Sequence, residues 1–321
     1  PGALPFRLLK IPMRSAGIHH ITAMAGDPQL NLDFYTETLG LRLVKRTVNF
    51  DDPGSYHFYF GDNVGNPGTI ITFFPWPGAR RGARGSGQVT IVSFAIPSNS
   101  IAWWKKRLRA NHVVAEEISD RFENKGLRFL DPDGLMLELM ESPVIPSEGR
   151  VDHTIRGFAA PTLEVRHLER TEKLLIEILG FEFVGEENNR RRLRGSGSNA
   201  AAEVDLVSSD AGFGLVAVGT VHHIAFRVAN DEEQLRAREE LVTRGLNVTP
   251  VIDRQYFHSI YFREPNGILF EIATDGPGFL IDESADELGE SLKLPPMYES
   301  ARSEIERVLP AIQLQHHAAA S

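Results

Sequence analysis

The chain repeats itself in order along its length, and that restricts its fold more than its composition does. Asp131-Pro132-Asp133-Gly134-Leu135-Met136-Leu137-Glu138-Leu139 returns 133 residues later as Glu264-Pro265-Asn266-Gly267-Ile268-Leu269-Phe270-Glu271-Ile272, and Asp120-Arg121 returns at the same offset as Asp253-Arg254. Glu37-Thr38-Leu39-Gly40-Leu41 reappears as Glu177-Ile178-Leu179-Gly180-Phe181, and Ile18-His19-His20-Ile21 as Val221-His222-His223-Ile224. Each unit reads strand, helix, then several strands. In the first, Ile18–Ala25 predicts a strand, and Leu32, Tyr35 and Leu39 at helical spacing predict a helix over 30–39 that Gly40 ends. Strands over 41–49, 56–60 and 69–74 follow, rich in β-branched and aromatic residues. The second unit opens at 89–96, with a helix over 100–110 and a hairpin over 126–140 that turns at Asp131-Pro132-Asp133-Gly134. The third opens at 161–165 with a helix over 168–179. The fourth opens at 220–228, with a helix over 232–244 and a hairpin over 259–274. The expected fold is α+β: four βαβββ modules paired into two domains with curved, mainly antiparallel sheets. On the concave face of such a sheet, side chains from separate strands can converge.

Composition narrows the chemistry. The 321 residues include no cysteine, which excludes disulfides, thiolate metal sites, iron–sulfur clusters and cysteine nucleophiles, and fits a cytoplasmic location. Any metal must be held by nitrogen and oxygen. No apolar run approaches the ~20 residues that span a bilayer. Residues 1–150 carry 17 Lys and Arg against 15 Asp and Glu, whereas residues 151–321 carry 17 against 28. An acidic second half leaves no electrostatic footprint for nucleic acid. Residues 1–16 read as an N-terminal arm, 17–150 as a first domain of two modules and 151–280 as a second. Residues 281–321 read as an acidic C-terminal tail with a helix near 297–309, and Pro, Ser and Gly over 142–149 mark a linker.

The His-His pair occurs twice, each time at the start of an equivalent strand. Alternation sends neighbouring residues to opposite faces, so one histidine of each pair can reach a given centre. His20 shares its face with Thr22 and His223 with Ala225, small neighbours that leave room; His222 shares its face with Ile224 and Phe226, which read as core. Glu271 sits inside a strand, where an unpartnered carboxylate would be costly and a metal ion removes the cost. His20, His223 and Glu271 are therefore the expected metal ligands. Two imidazoles and one carboxylate leave one face of a redox-active divalent ion open. The set suits dioxygen chemistry on Fe(II), with Mn(II) or another divalent ion able to take its place.

Ile18–Thr22, Leu39-Gly40, Lys45-Arg46-Thr47, Tyr56-His57-Phe58-Tyr59-Phe60 and Gly65-Asn66-Pro67-Gly68-Thr69 resemble, in order and spacing, the vicinal oxygen chelate superfamily. Among its branches the chain resembles the iron(II) hydroquinone ring-cleaving dioxygenases, chlorohydroquinone enzymes included, from about residue 17 to about 280. The resemblance implies an extradiol-like dioxygenase that takes a hydroquinone-class aromatic and O2. It places the metal on His20, His223 and Glu271, joining the first and fourth modules. It also matches the family's Arg and Tyr to Arg254 and Tyr261, to stabilise negative charge and to hydrogen-bond a substrate oxygen. His222 or His258 is the expected proton shuttle, since imidazole titrates near neutrality. No nucleic-acid or membrane partner is expected, and a homo-oligomer is left open. Two alternatives stand beside this reading. One is a glyoxalase-like metal-dependent isomerase or lyase, which tends to use four ligands with two carboxylates; the other is a non-catalytic binder of aromatic compounds.

Other motifs read as structural. The third module opens Gly157-Phe158-Ala159-Ala160 and offers no histidine, so Glu138, the repeat partner of Glu271, is expected to be structural. Arg190-Arg191-Arg192 with Arg194 reads as a solvated strand edge. Residues 80–87, rich in Arg and Gly, lack the Lys-Ser/Thr of a phosphate loop and read as a mobile loop near the site mouth. One of Trp103 and Trp104 is expected to anchor a contact between units, and His57 is left open between pocket wall and strand filler.

Overall fold

The computed structural model describes residues 13–122, 124–142 and 153–314; residues 1–12 of the expected arm and 143–149 of the expected linker lie outside the described residues. All four modules form. The first comprises β1 (Ile18–Ala25), α1 (Pro28–Asp33), β2 (Arg42–Asn49), β3 (Asp52–Gly61) and β4 (Ile70–Pro75). Asp27 caps α1 by accepting from Leu30 N, Pro28 opens it, and a π-turn over Phe34–Thr38 continues it. The second comprises β5 (Gln88–Pro97), α2 (Ile101–Ala110), β6 (Glu116–Arg121), β7 (Asn124–Leu130) and β8 (Met136–Ser142). The third comprises β9 (Thr162–Val165), α3 (Leu168–Glu177), β10 (Glu182–Glu187), β11 (Arg190–Arg194) and β12 (Glu203–Ser208). The fourth comprises β13 (Val221–Val228), α4 (Asp231–Thr243), β14 (Ile252–Asp253), β15 (Phe257–Arg263) and β16 (Leu269–Pro277).

The sheets cut across the sequence halves. Modules one and four share an eight-stranded sheet in the order β14-β15-β16-β13-β1-β4-β3-β2, and modules two and three share another, β10-β11-β12-β9-β5-β8-β7-β6. Residues 17–150 and 151–280 are thus repeats of sequence, each giving one module to each sheet. The physical reason is the opening strand. Within a module it pairs in parallel with the last strand, and its other edge stays free. The edge of β1 meets that of β13, and the edge of β5 meets that of β9, both antiparallel. Every residue of β1 is buried, as suits a central strand covered on both faces.

Of the expected tail, residues 281–314 pack on the first module, and 315–321 lie outside the described residues. Leu288, Leu294, Ile305 and Leu309 are buried, and the expected helix takes the form of a 3-10 turn (Pro296–Ala301) running into α5 (Arg302–Val308). Tyr298 Oη donates to Phe50 O (2.8 Å), and Tyr56 Oη donates to Pro310 O (3.0 Å). The fully buried Lys45 ammonium donates to Asp282 Oδ1 (2.6 Å) and to Glu283, which clamps the segment onto β2. The glycine-rich loop is also held. Bridges Arg81–Val218, Ala83–Leu215 and Ser86–Phe213 lace it to the approach to β13. A Cβ on Gly82 would stand 2.6 Å from Leu215 O, and one on Gly85 2.4 Å from Gly212 O, so these glycines serve close backbone approach. Among the described residues, no helix is long and apolar enough to cross a membrane.

Candidate metal centre

The joined edges of β1 and β13 bring the two His-His pairs together, with Thr22 opposite His223 and His20 opposite Ala225. Glu271 lies on β16 beside Ala225 and opposite Tyr261 of β15. His20 Nε2 and His223 Nε2 stand 3.3 Å apart, and Glu271 Oε2 stands 3.2 and 2.9 Å from them. Donors that meet one divalent ion at right angles and about 2.1 Å are about 3.0 Å apart, so this spacing fits a shared ion. The carboxylate supplies a second test. Oε1 accepts from Ser259 Oγ (2.5 Å), while the fully buried Oε2 is left to the two ring nitrogens alone. A buried, unbonded carboxylate oxygen between two imidazole nitrogens is costly unless a cation lies among them. The residues fit a divalent metal, and nitrogen and oxygen donors suit Fe(II), Mn(II) or Zn(II) alike.

The doubling of histidine now has a physical reading. His20 Nδ1 lies 2.9 Å from His19 Nδ1, and His223 Nδ1 lies 2.8 Å from His222 Nδ1. An imidazole that offers Nε2 to a metal keeps its proton on Nδ1, and here the preceding ring accepts it. Each first histidine thereby fixes the tautomer and tilt of the second. His19 is buried and its ring lies 5.0 Å from that of Phe257, whose ring also flanks His20 at 5.1 Å. Burial pushes Glu271 up, but His20 and His223 beside it hold its carboxyl well below the usual range.

Over the ligands opens a cavity of about 1010 Å³, lined by His20, His57, Tyr59, His222, His223, Arg254, Phe257 and Tyr261 among others. Arg254 Nε donates to Tyr261 Oη at 3.2 Å, and a guanidinium only donates, so the phenol proton is directed elsewhere. Burial and the Glu271 carboxylate push the Tyr261 phenol up, which keeps it protonated. His57 belongs to the pocket wall, between Tyr59 Oη (2.9 Å) and Thr72 Oγ1 (2.9 Å), and Thr72 bonds Thr22 beneath the floor (2.8 Å).

The two expected shuttles stand in different places. His258 faces away from the cavity, because on β15 it alternates with Phe257, Ser259 and Tyr261. Its Nδ1 lies 2.6 Å from Asp231 Oδ1 at the start of α4. His222 does line the cavity, although strict alternation put it in the core; its ring turns beside that of His223 and lies edge-on to Phe74. Burial and His223 lower it to about 3, so it is neutral at ordinary pH. Sequence reasoning missed Ser259, which holds Glu271, and Phe257, which floors both histidines. Counting back in twos from Tyr261 along β15 would have found both.

The second sheet shows what stands at the corresponding place. Opposite the opening strand of each module lie Thr72 (with Thr22), Glu138 (with Ser93), Asp205 (with Thr162) and Glu271 (with Ala225). Two residues earlier on the opening strands come His20, Ile91, Ala160 and His223. The second sheet therefore has two carboxylates and no imidazole. Arg121 fills the centre: it donates to Glu138, to Asp205 Oδ2 (2.6 Å) and to Ser93 Oγ (2.8 Å), and is fully buried. Arg192 Nε donates to Asp205 Oδ1 (2.8 Å) and Arg128 Nε to Glu138 Oε1 (2.9 Å). Glu138 is thus structural, as expected. The arginines of β11 are not an edge: the strand lies between β10 and β12, and Arg192 is buried.

Comparison with known proteins gives the family and the fold. The family model of the Glyoxalase/Bleomycin resistance protein/Dioxygenase superfamily matches residues 17–139 and 150–272. A Bacillus subtilis (strain 168) protein named "Putative ring-cleaving dioxygenase MhqO" is 48% identical over 302 residues, covering 92% of this chain and 96% of its own. The chlorohydroquinone/hydroquinone 1,2-dioxygenase of Sphingobium indicum is 34% identical over 322 residues, covering 94% of this chain and 98% of its own. A crystal structure of a "putative dioxygenase" from Bacillus subtilis matches with a TM-score of 0.89 at 47% identity, over 94% of this chain and 99% of that one. Glyoxalase I of Zea mays shares the fold at a TM-score of 0.62 and 15% identity, over 81% of this chain and 92% of that one.

Proposed function

The chain belongs to the glyoxalase/bleomycin resistance protein/dioxygenase superfamily, and from that premise we propose that it is an Fe(II)-dependent dioxygenase that opens a hydroquinone-type ring with O2. The observation that carries the reading is the convergence of His20 Nε2, His223 Nε2 and the unbonded Glu271 Oε2 beneath an aromatic-lined cavity. Supporting it, a relative 34% identical along nearly its whole length is named for chlorohydroquinone and hydroquinone. A fourth carboxylate or imidazole ligand, as a glyoxalase-like reaction tends to need, is missing where it would be expected: Thr72 holds that position.

His20, His223 and Glu271 would hold the ion, which when bound supplies electron transfer between an electron-rich ring and O2. The remaining work falls to the chain. Phe257 and the aromatic wall seat the ring and exclude water. Tyr261, kept protonated, donates its O–H to a substrate oxygen, and Arg254 behind it favours the negative charge that develops there. His222 is a neutral imidazole: with Nδ1 accepting from His223, its Nε2–H is left as a hydrogen-bond donor on the wall.

The test is anaerobic. Protein reconstituted with Fe(II) is mixed with methylhydroquinone, O2 is admitted, and uptake is followed with the absorbance of the ring-opened product. Stoichiometric uptake is expected. Conversion without uptake indicates an isomerase or lyase, and tight binding without turnover indicates a binder; either result rejects the dioxygenase.

A further inference from the structure

The cavity is larger than a single ring requires. Its volume of about 1010 Å³ lies at the upper end of pockets that enclose drug-sized ligands. Its two sides also differ in chemistry. Near the ligands and toward module four the wall is polar, with Arg254, Arg263, Asp51 and Thr249. Beyond His57 and His222, Met24, Phe74, Trp76, Val216 and Val218 form a largely apolar arm, with Arg80 also in its wall. Met24 and Phe74 are paired in the parallel β1–β4 register, four residues beyond the pair His20–Ile70. His223 lies opposite Thr22, so at ~3.3 Å per residue Met24 stands about 7 Å past the register position of His223 and about 13 Å past that of His20, enough for a ring substituent of a few carbons. Trp76 and Val216 are 42% and 41% exposed, so the arm presents large apolar side chains that the other described residues cover only in part. The β13 approach forms its roof, since Gly219 N donates to Met24 O (2.9 Å) and Met24 N to Thr220 O (3.0 Å). Uncovered apolar surface continuous with a reaction centre is what a ligand's own apolar part would bury.

We propose that the substrate is a hydroquinone bearing an extended apolar substituent, an alkyl chain of several carbons or a second ring, which occupies the arm between Met24, Phe74, Trp76 and Val216. The inference rests on the ring-cleaving reading above and adds the substrate class. Each methylene drawn into the arm leaves water, which at full burial multiplies affinity about fourfold.

The experiment uses the metal-loaded full chain and the series hydroquinone, methyl-, ethyl-, butyl- and phenylhydroquinone. Binding is measured anaerobically by calorimetry, and kcat/KM by O2 uptake. Affinity is expected to rise two- to fourfold per carbon to the butyl compound, with kcat/KM rising in step. Val216→Trp, which narrows the arm, is expected to bring the butyl-to-methyl affinity ratio, about 8- to 64-fold for three carbons in the unaltered chain, down to about twofold or less. Affinity that is flat or falls from methyl to butyl overturns the proposal, and a ratio unchanged in V216W overturns its placement in this arm. Butylhydroquinone that binds with the expected gain but consumes no O2 leaves the arm standing and sinks the dioxygenase instead.

Discussion

The two sheets are built from the same module, yet one converges on an open metal centre and the other on a guanidinium. In the sheet of modules one and four, Glu271 faces two imidazoles, and Arg254 is turned aside to Tyr261. In the sheet of modules two and three, the repeat partner of Arg254 takes the central place: Arg121 bridges Glu138 and Asp205. Both centres solve one electrostatic problem, buried carboxylate on a concave sheet, with a cation. A side-chain cation fills its site permanently, whereas a metal ion keeps open positions for ligands. On the reading proposed above, a cation sits at both places, and the two histidines make one of the charges exchangeable.

The comparison can be broken at several points. Glu271→Gln removes the anionic ligand and is expected to lower ring-cleavage kcat/KM about 10³-fold while reducing bound iron, read by O2 uptake and metal analysis. If iron content and activity survive, the first centre is not the metal site. Arg121→Met leaves Glu138 and Asp205 buried against fewer charges and is expected to cost about 3–5 kcal/mol in denaturant unfolding. A partial rescue of this variant's Tm by Mn(II) would sharpen the equivalence of the two centres. Tyr261→Phe is expected to lower kcat about 10²-fold with iron content unchanged, as for loss of one hydrogen-bond donor to developing charge.

A smaller effect concerns the turns that dock each late module on an early helix. Asp131 accepts from Asp133 N, Leu135 N and Tyr35 Oη, and burial, with Asp133 adding to it, pushes its carboxyl up to about 7. A raised acid binds more protons folded than unfolded between about pH 4 and 7, so stability falls as pH rises through that window. Asp131→Asn is expected to flatten a slope of at most about 1.4 kcal/mol per pH unit, measured by urea unfolding from pH 4 to 8. The smallest change is expected from His258→Gln. This residue sits on the helix side beside Asp231, so kcat should stay within about twofold; a large loss would mean that β15 is turned over.

How much of this was legible follows from particular residues. The turn Asp131-Pro132-Asp133-Gly134 and its later copy located two hairpins, and Gly40 ended a helix, because turn chemistry is local. The triad was legible because repetition set His20 and His223 at equivalent strand positions and alternation chose one face. Alternation then failed at His222, whose ring turns toward His223, and the charge of Arg192 concealed a buried interior strand. The first error arose because side-chain torsions carry a ring out of the plane that alternation assigns it, the second because burial of a polar group depends on partners distant in sequence, as Asp205 is for Arg121.

The amino-acid order alone determined the four modules, the absence of thiol chemistry and the residue types able to hold a metal, since each depends on neighbours within one element. Only the tertiary structure decided that modules pair one with four and two with three. It alone decided that Arg121 fills one centre while the other stays open, and that Ser259 holds Glu271. Those outcomes depend on which free strand edges meet, and edge pairing is a contest between surfaces assembled from residues as far apart as Ile18 and Phe226.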